Sequence, residues 1–70
     1  FVHCSTRAQL AGTLDRHFAG AGSLVLIALD EAAIAPDLRW EEGTPGERFP
    51  HVYAAIPVTA VLAVEEIEAP

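Results

Sequence analysis

The sequence predicts an α+β domain, a small mixed sheet with one main helix, on three observations. Leu10, Leu14 and Phe18 recur every four residues and trace one apolar stripe, the mark of a helix that packs by a single face. Leu24 to Leu29 is an unbroken apolar run of six residues containing Val and Ile, short enough to favour a strand. Leu38 to Glu41 alternates apolar with charged side chains, as a strand with one wet face does.

Taken in chain order, residues 1–5 are extended in character, and Thr6 with Gln9 forms a capping box that starts the helix. Gly20 and Gly22 stop it. Residues 23–30 then read as a central strand buried on both faces. Asp30 caps a brief helical turn through Ile34, which Pro36 ends. After the strand at 38–41, residues 42–47 read as a loop built on Gly43, Pro45 and Gly46. Residues 48–56 read as irregular or edge-strand structure, because Pro50 and Pro57 lack donors that a central ladder needs. Residues 58–67 supply a last strand after a short turn, and Trp40 is expected in the core.

Seventy residues hold one domain, 1–70, with a thin core, and 51% apolar with 20% charged residues is a globular composition. Ten acidic residues against four arginines and no lysine leave a net charge of −6. Such a surface repels phosphate backbones and carries no basic patch, so no nucleic-acid partner is expected. The six-residue apolar run falls far short of the roughly 20 residues of a bilayer span, so no membrane partner is expected either. With Cys4 the only cysteine, no intrachain disulfide forms, which points to a reducing, cytoplasmic setting. The opening on Phe1, inside what reads as a strand, is expected of a fragment, and the oligomeric state is not encoded. Glu65, Glu66 and Glu68 read as a solvated strand end.

Two segments carry side chains suited to chemistry. In the first, strand alternation puts His3 on one face with Phe1 and Ser5, and Cys4 on the other with Val2. Cys4 then reads as a buried, inert thiol. His3 and Ser5, leading into a helix N-terminus with Thr6, either present a polar patch to an anionic ligand or serve as a satisfied histidine and a capping serine. The second segment runs Arg48, Phe49, Pro50, His51, Val52, Tyr53. If extended, it aligns Phe49, His51 and Tyr53 as a stacking face, beside an Arg48 that would hold a phosphate or carboxylate. The structural alternative has Arg48 paired with Glu47 or Glu41 and the aromatics filling the core. His3, Cys4, His17 and His51 show no ligand spacing, so no metal is expected, and no Gly-rich phosphate loop or nucleophile elbow occurs.

FVHCSTRAQLAGTLDRHFAG, SLVLIALD, LRWEE and ERFPHVYAAIPVTAVLAV together resemble the bacterial domain of unknown function 952 family, the most specific parts being residues 1–5 and 48–53. Members of that family begin earlier, with a further strand and helix, so the resemblance implies that residues 1–70 form the C-terminal two-thirds of such a domain. It also implies an ADP-ribosyltransferase-like fold, here partial, similar to RNA phosphotransferases that use NAD. On that resemblance His3 and Ser5 would face an NAD cleft, with Thr6, Arg48 and Tyr53 binding the nucleotide. Glu41 and His51 would be the catalytic pair, Glu41 supplying charge stabilisation beside Trp40. The expected ligand is NAD or a related nucleotide; the alternative is a non-catalytic module that recognises a small molecule or a protein through the same face, or a truncated inactive remnant.

Overall fold

The computed structural model describes residues 1–70. In chain order the elements are β1 (Val2–His3), α1 (Leu10–His17), β2 (Ser23–Leu29), α2 (Glu31–Ile34), β3 (Leu38–Thr44), β4 (Glu47–Val52) and β5 (Val61–Glu68), with single 3-10 turns at Ala35–Asp37 and Val58–Ala60. The class is α+β, as the sequence predicts. The strands form two small antiparallel sheets, ordered β1-β4-β3 and β2-β5, in place of one mixed sheet.

The local signals at chain turns act only in part as read: Asp30 caps α2, but the helix read as starting at Thr6 begins at Leu10, after a turn, and ends at His17, before Gly20 and Gly22. Thr6 N–H donates to Gln9 Oε1 at 3.0 Å and Gln9 N–H donates to Thr6 Oγ1 at 3.2 Å, a reciprocal box that tightens the turn from which α1 rises. Asp30 accepts from Ala32 N–H at 3.0 Å and opens α2. Pro36, read as the end of that helical turn, instead sits in the first positions of a 3-10 turn that carries helical backbone on to Asp37, and the chain is extended from Leu38. Helix α1 then meets the β3–β4 pair through polar bonds: Gln9 Nε2 to the Arg48 carbonyl at 2.7 Å and Arg16 to Thr44 Oγ1 at 2.9 Å.

Three strand readings change. Residues 42–47 are not a loop: β3 continues to Thr44, and only Pro45 and Gly46 lie between it and β4. Gly46 takes φ 84°, which a tight hairpin requires and glycine accepts without strain. A register shift between Glu42 and Thr44 bulges β3 at Gly43, where an added Cβ would stand 2.9 Å from Phe49 Cδ1.

Second, β4 is the middle strand of its sheet, despite Pro50. The Pro50 carbonyl accepts from Cys4 N–H at 2.9 Å, so its nitrogen also points toward β1 and the ladder to β3 loses no bond. What Pro50 cannot do is return a bond to Cys4, and β1 ends there, at His3.

Third, β2 is not buried on both faces: it pairs only with β5, and Val25 and Ile27 are exposed. An apolar run records what a strand would bury, not which elements are available to cover it. Trp40, expected in the core, is half-exposed and helps line a largely apolar cleft of 1290 Å³ between α1 and the two sheets, with Leu14, Leu24, Leu26, Phe49 and Ile67.

The packed core is correspondingly small. Ile34, Val52 and Ala60 form it, flanked by Cys4, Leu29, Leu38 and Ile56. Backbone bonds from Asp30 N–H to the Ala60 carbonyl and from Tyr53 N–H to the Asp37 carbonyl, both 2.8 Å, hold the two sheets and α2 around it. Val52 is 1% exposed whereas Val58 is 87% exposed. Val52→Ala should therefore lower the unfolding free energy by about 2 kcal/mol, and Val58→Ala should change it by less than about 0.5 kcal/mol, in urea denaturation. Gly43→Ala, which drives a methyl group into the Phe49 ring, should cost about 1–3 kcal/mol in the same assay.

Candidate functional site

The register of the three-stranded sheet decides which side chains meet. Arg39 lies opposite His51 and Glu41 opposite Phe49, while His3 lies opposite His51 on the other side. Residues two apart on a strand share a face, so Arg39, Glu41, His3 and His51 come to one face of the sheet, and Tyr53, just past the end of β4, joins them through its hydroxyl bond to Glu41.

Their contacts are close. The Glu41 carboxylate oxygen Oε1 accepts from His51 Nδ1 at 2.8 Å and from the Tyr53 hydroxyl. The His3 ring meets His51 edge-to-face at 4.5 Å between centroids. Phe1 lies against the His3, His51 and Tyr53 rings, stacked on Tyr53 at 4.9 Å. The guanidinium carbon of Arg39 lies 4.8 Å from the centre of the Tyr53 ring.

The electrostatics follow from those bonds. Hydrogen bonds from Tyr53 and then His51 hold the Glu41 carboxyl below the usual carboxylate range, and the same bond to Glu41 pushes the Tyr53 phenol up. An ionised carboxylate only accepts, so His51 Nδ1 carries the shared proton. His51 is 3% exposed, and its other nitrogen, Nε2, is buried with no partner. Glu41 keeps 39% of its side-chain surface in solvent, and its second oxygen takes part in no bond within the chain. The cluster is thus an anionic oxygen acceptor, fixed by two donors and bordered by aromatic rings and a cation.

Among the sequence-derived candidates, the structure brings together His3, Glu41, His51 and Tyr53. It sets the others apart. Strand β1 ends at His3, so alternation no longer governs Ser5, whose hydroxyl lies 2.8 Å from Thr13 Oγ1 and ties β1 to α1. Thr6 is occupied in its capping pair with Gln9. Arg48 alternates to the face of β4 opposite His51, and its backbone carbonyl is what it contributes, to Gln9. Cys4 packs against the core, where burial pushes its thiol up, away from nucleophilic character. Sequence reasoning missed Arg39 and Phe1 as neighbours of Glu41 and Tyr53; the spacing of Arg39, two before Glu41, was the available signal.

Residues 1–64 match the family model described as "Protein of unknown function (DUF952)". The chain belongs to this family. No curated protein and no solved structure gives a significant match. The DUF952 match spans both parts of the cluster, the His3 strand and the β3–β4 hairpin, so the residues that meet on this face all lie within the family's domain. No helix is long and apolar enough to cross a membrane.

The hydrogen bonds to Glu41 are open to titration. Tyr53→Phe, which removes the larger cause of the lowered value, should raise the Glu41 carboxyl pKa toward its ordinary 4.5, read by carboxyl carbon NMR. Because the folded-state value lies below the unfolded one, Glu41 contributes stability that is complete above about pH 4.5 and lost as pH falls through the lowered value. Urea denaturation at acid pH should accordingly show a shallower loss of stability in Tyr53→Phe than in the parent chain.

Proposed function

We propose that the face bearing His3, Glu41, His51 and Tyr53 binds NAD or a related nucleotide, and that Glu41 is the carboxylate that acts on the ribose next to nicotinamide. The observation that carries this reading is the Glu41 carboxylate itself: kept ionised by two donors on one oxygen, with the other oxygen free and partly exposed. A fixed anion of that kind stabilises positive charge developing on a sugar carbon as its bond to a leaving nitrogen breaks. When bound, NAD supplies that bond, between ribose and the pyridinium, whose electron pair leaves with nicotinamide while an acceptor oxygen forms the new bond to the sugar.

The other side chains have roles that follow from their contacts. His51 and Tyr53 orient Glu41 and hold it anionic. His3 and Phe1 wall the cluster, and the Phe1–Tyr53 stack offers an aromatic surface to a planar base. The resemblance of the sequence to NAD-using ADP-ribosyltransferases supports the same ligand class. A second reading has the same face recognise its ligand without chemistry; in its favour, both donors nearest Glu41 are already bonded to it, as in a purely structural hub.

Titration of NAD should move the imidazole signals of His3 and His51, and Glu41→Gln should lower any release of nicotinamide about 100-fold or more. Movement of the signals without nicotinamide release from the parent chain would favour the non-catalytic reading. Unmoved signals at millimolar NAD would remove the nucleotide from the account.

A further inference from the structure

We infer that Arg39 is the anion-holding arm of this face, and that its ligand is therefore a phosphorylated one, a nucleotide in preference to a nucleoside. The inference rests on the nucleotide reading above and specifies which part of the ligand the protein grips by charge.

Position comes first. Arg39 lies opposite His51 and two residues before Glu41, so backbone geometry places it beside the carboxylate on the same face of the sheet. The Arg39 guanidinium rests on the ring of Tyr53, whose hydroxyl donates to Glu41, so one aromatic side chain touches both the cation and the carboxylate. A ligand whose sugar rests on Glu41 brings its phosphate to Arg39.

The state of the guanidinium is the second point. It rests against the Tyr53 ring, 4.8 Å from its centre, a contact that orients the group and uses none of its N–H donors. In a chain with ten carboxylates and a net charge of −6, Arg39 nonetheless forms no ion pair; the sole side-chain ion pair joins His51 to Glu41. Glu41, its nearest carboxylate along β3, already accepts from His51 and Tyr53. The fork of donors that would suit a phosphate bidentately is therefore left uncommitted.

The remaining arginines do not compete for the role. Arg16 donates to Thr44 Oγ1, Arg7 lines the apolar cleft, and Arg48 stands on the other face of β4. Only Arg39 joins the cluster of His3, Glu41, His51 and Tyr53. The unpartnered, buried Nε2 of His51, directly across the strand pair from Arg39, is a second polar group on the same face without a partner in the chain.

The test compares nicotinamide mononucleotide, nicotinamide riboside and inorganic pyrophosphate on the parent chain, Arg39→Lys and Arg39→Gln, following the Arg39 Nε–H and His3 and His51 signals by NMR. The mononucleotide should bind the parent at least about 10-fold more tightly than the riboside, from which it differs only by its phosphate. Arg39→Gln should erase that preference while leaving riboside binding unchanged, and Arg39→Lys, which keeps the charge but not the fork, should restore part of it. Pyrophosphate should shift the Arg39 Nε–H signal in the parent. Equal affinity for mononucleotide and riboside in the parent, or an undiminished preference in Arg39→Gln, would overturn the role of Arg39 and leave the nucleotide reading standing. Binding of pyrophosphate at Arg39 without any binding of mononucleotide or riboside would uphold the anion arm and overturn the nucleotide reading; no binding of any of the three would overturn both.

Discussion

The pairing of β3 with β4 sets everything that gathers around Glu41. Its register places Arg39 opposite His51 and Glu41 opposite Phe49, and a slip of one residue in β3 would send Arg39 and Glu41 to the face away from His51. Two glycines protect that register by different means. Gly46 supplies the left-handed turn that joins the strands, and Gly43 leaves room for the Phe49 ring to lie across β3 at the bulge. The aromatic segment thereby reaches the middle of a sheet, with β3 on one side and the short β1 on the other.

That central position explains how a small domain holds an imidazole away from water. Backbone pairing on both sides, together with the rings of Phe1 and His3, encloses His51. Burial of a polar ring is costly unless it is bonded, and Glu41 provides the bond at Nδ1. The same bond, with that of Tyr53, keeps the carboxylate ionised at one oxygen and free at the other. One cluster thus serves two ends: the bond that partners the buried His51 ring also helps to keep the Glu41 carboxylate ionised.

The rest of the molecule is thinly packed. Ile34, Val52 and Ala60 form the core at the meeting of α2, β4 and the turn before β5, while α1 docks through side-chain hydrogen bonds and buries none of its residues fully. The β2–β5 ribbon presents Val25, Ile27, Leu62 and Val64 to solvent, and a two-stranded ribbon is marginal by itself. The best-packed part of this domain is accordingly the β1-β4-β3 sheet with its core, which is also the part that carries the candidate site.

Local chemistry was legible in the sequence wherever a residue acts on its immediate neighbours. Thr6 with Gln9 caps a turn, Asp30 starts a helix, and apolar or alternating runs mark β2 and β3, because those preferences are expressed within a few bonds of the chain. His3, His51 and Tyr53 were identifiable as candidates by type and by alternation along their own segments, and Glu41 as a carboxylate beside Trp40. Ser5, Thr6 and Arg48 were separated from them, and Arg39 added, only by folding, since strand ends and cross-strand register belong to pairs of segments far apart in sequence. Pro50 shows the limit most plainly: the missing donor is a property of the residue, but whether that donor would face β1 or β3 depends on where the strand lies, and in this fold it faces the side where the ladder ends. The sequence by itself determined the α+β class, the caps and the chemical inventory; the tertiary structure alone decided that two antiparallel sheets form and which side chains share a face, because pairing is a choice between distant partners that no local pattern records.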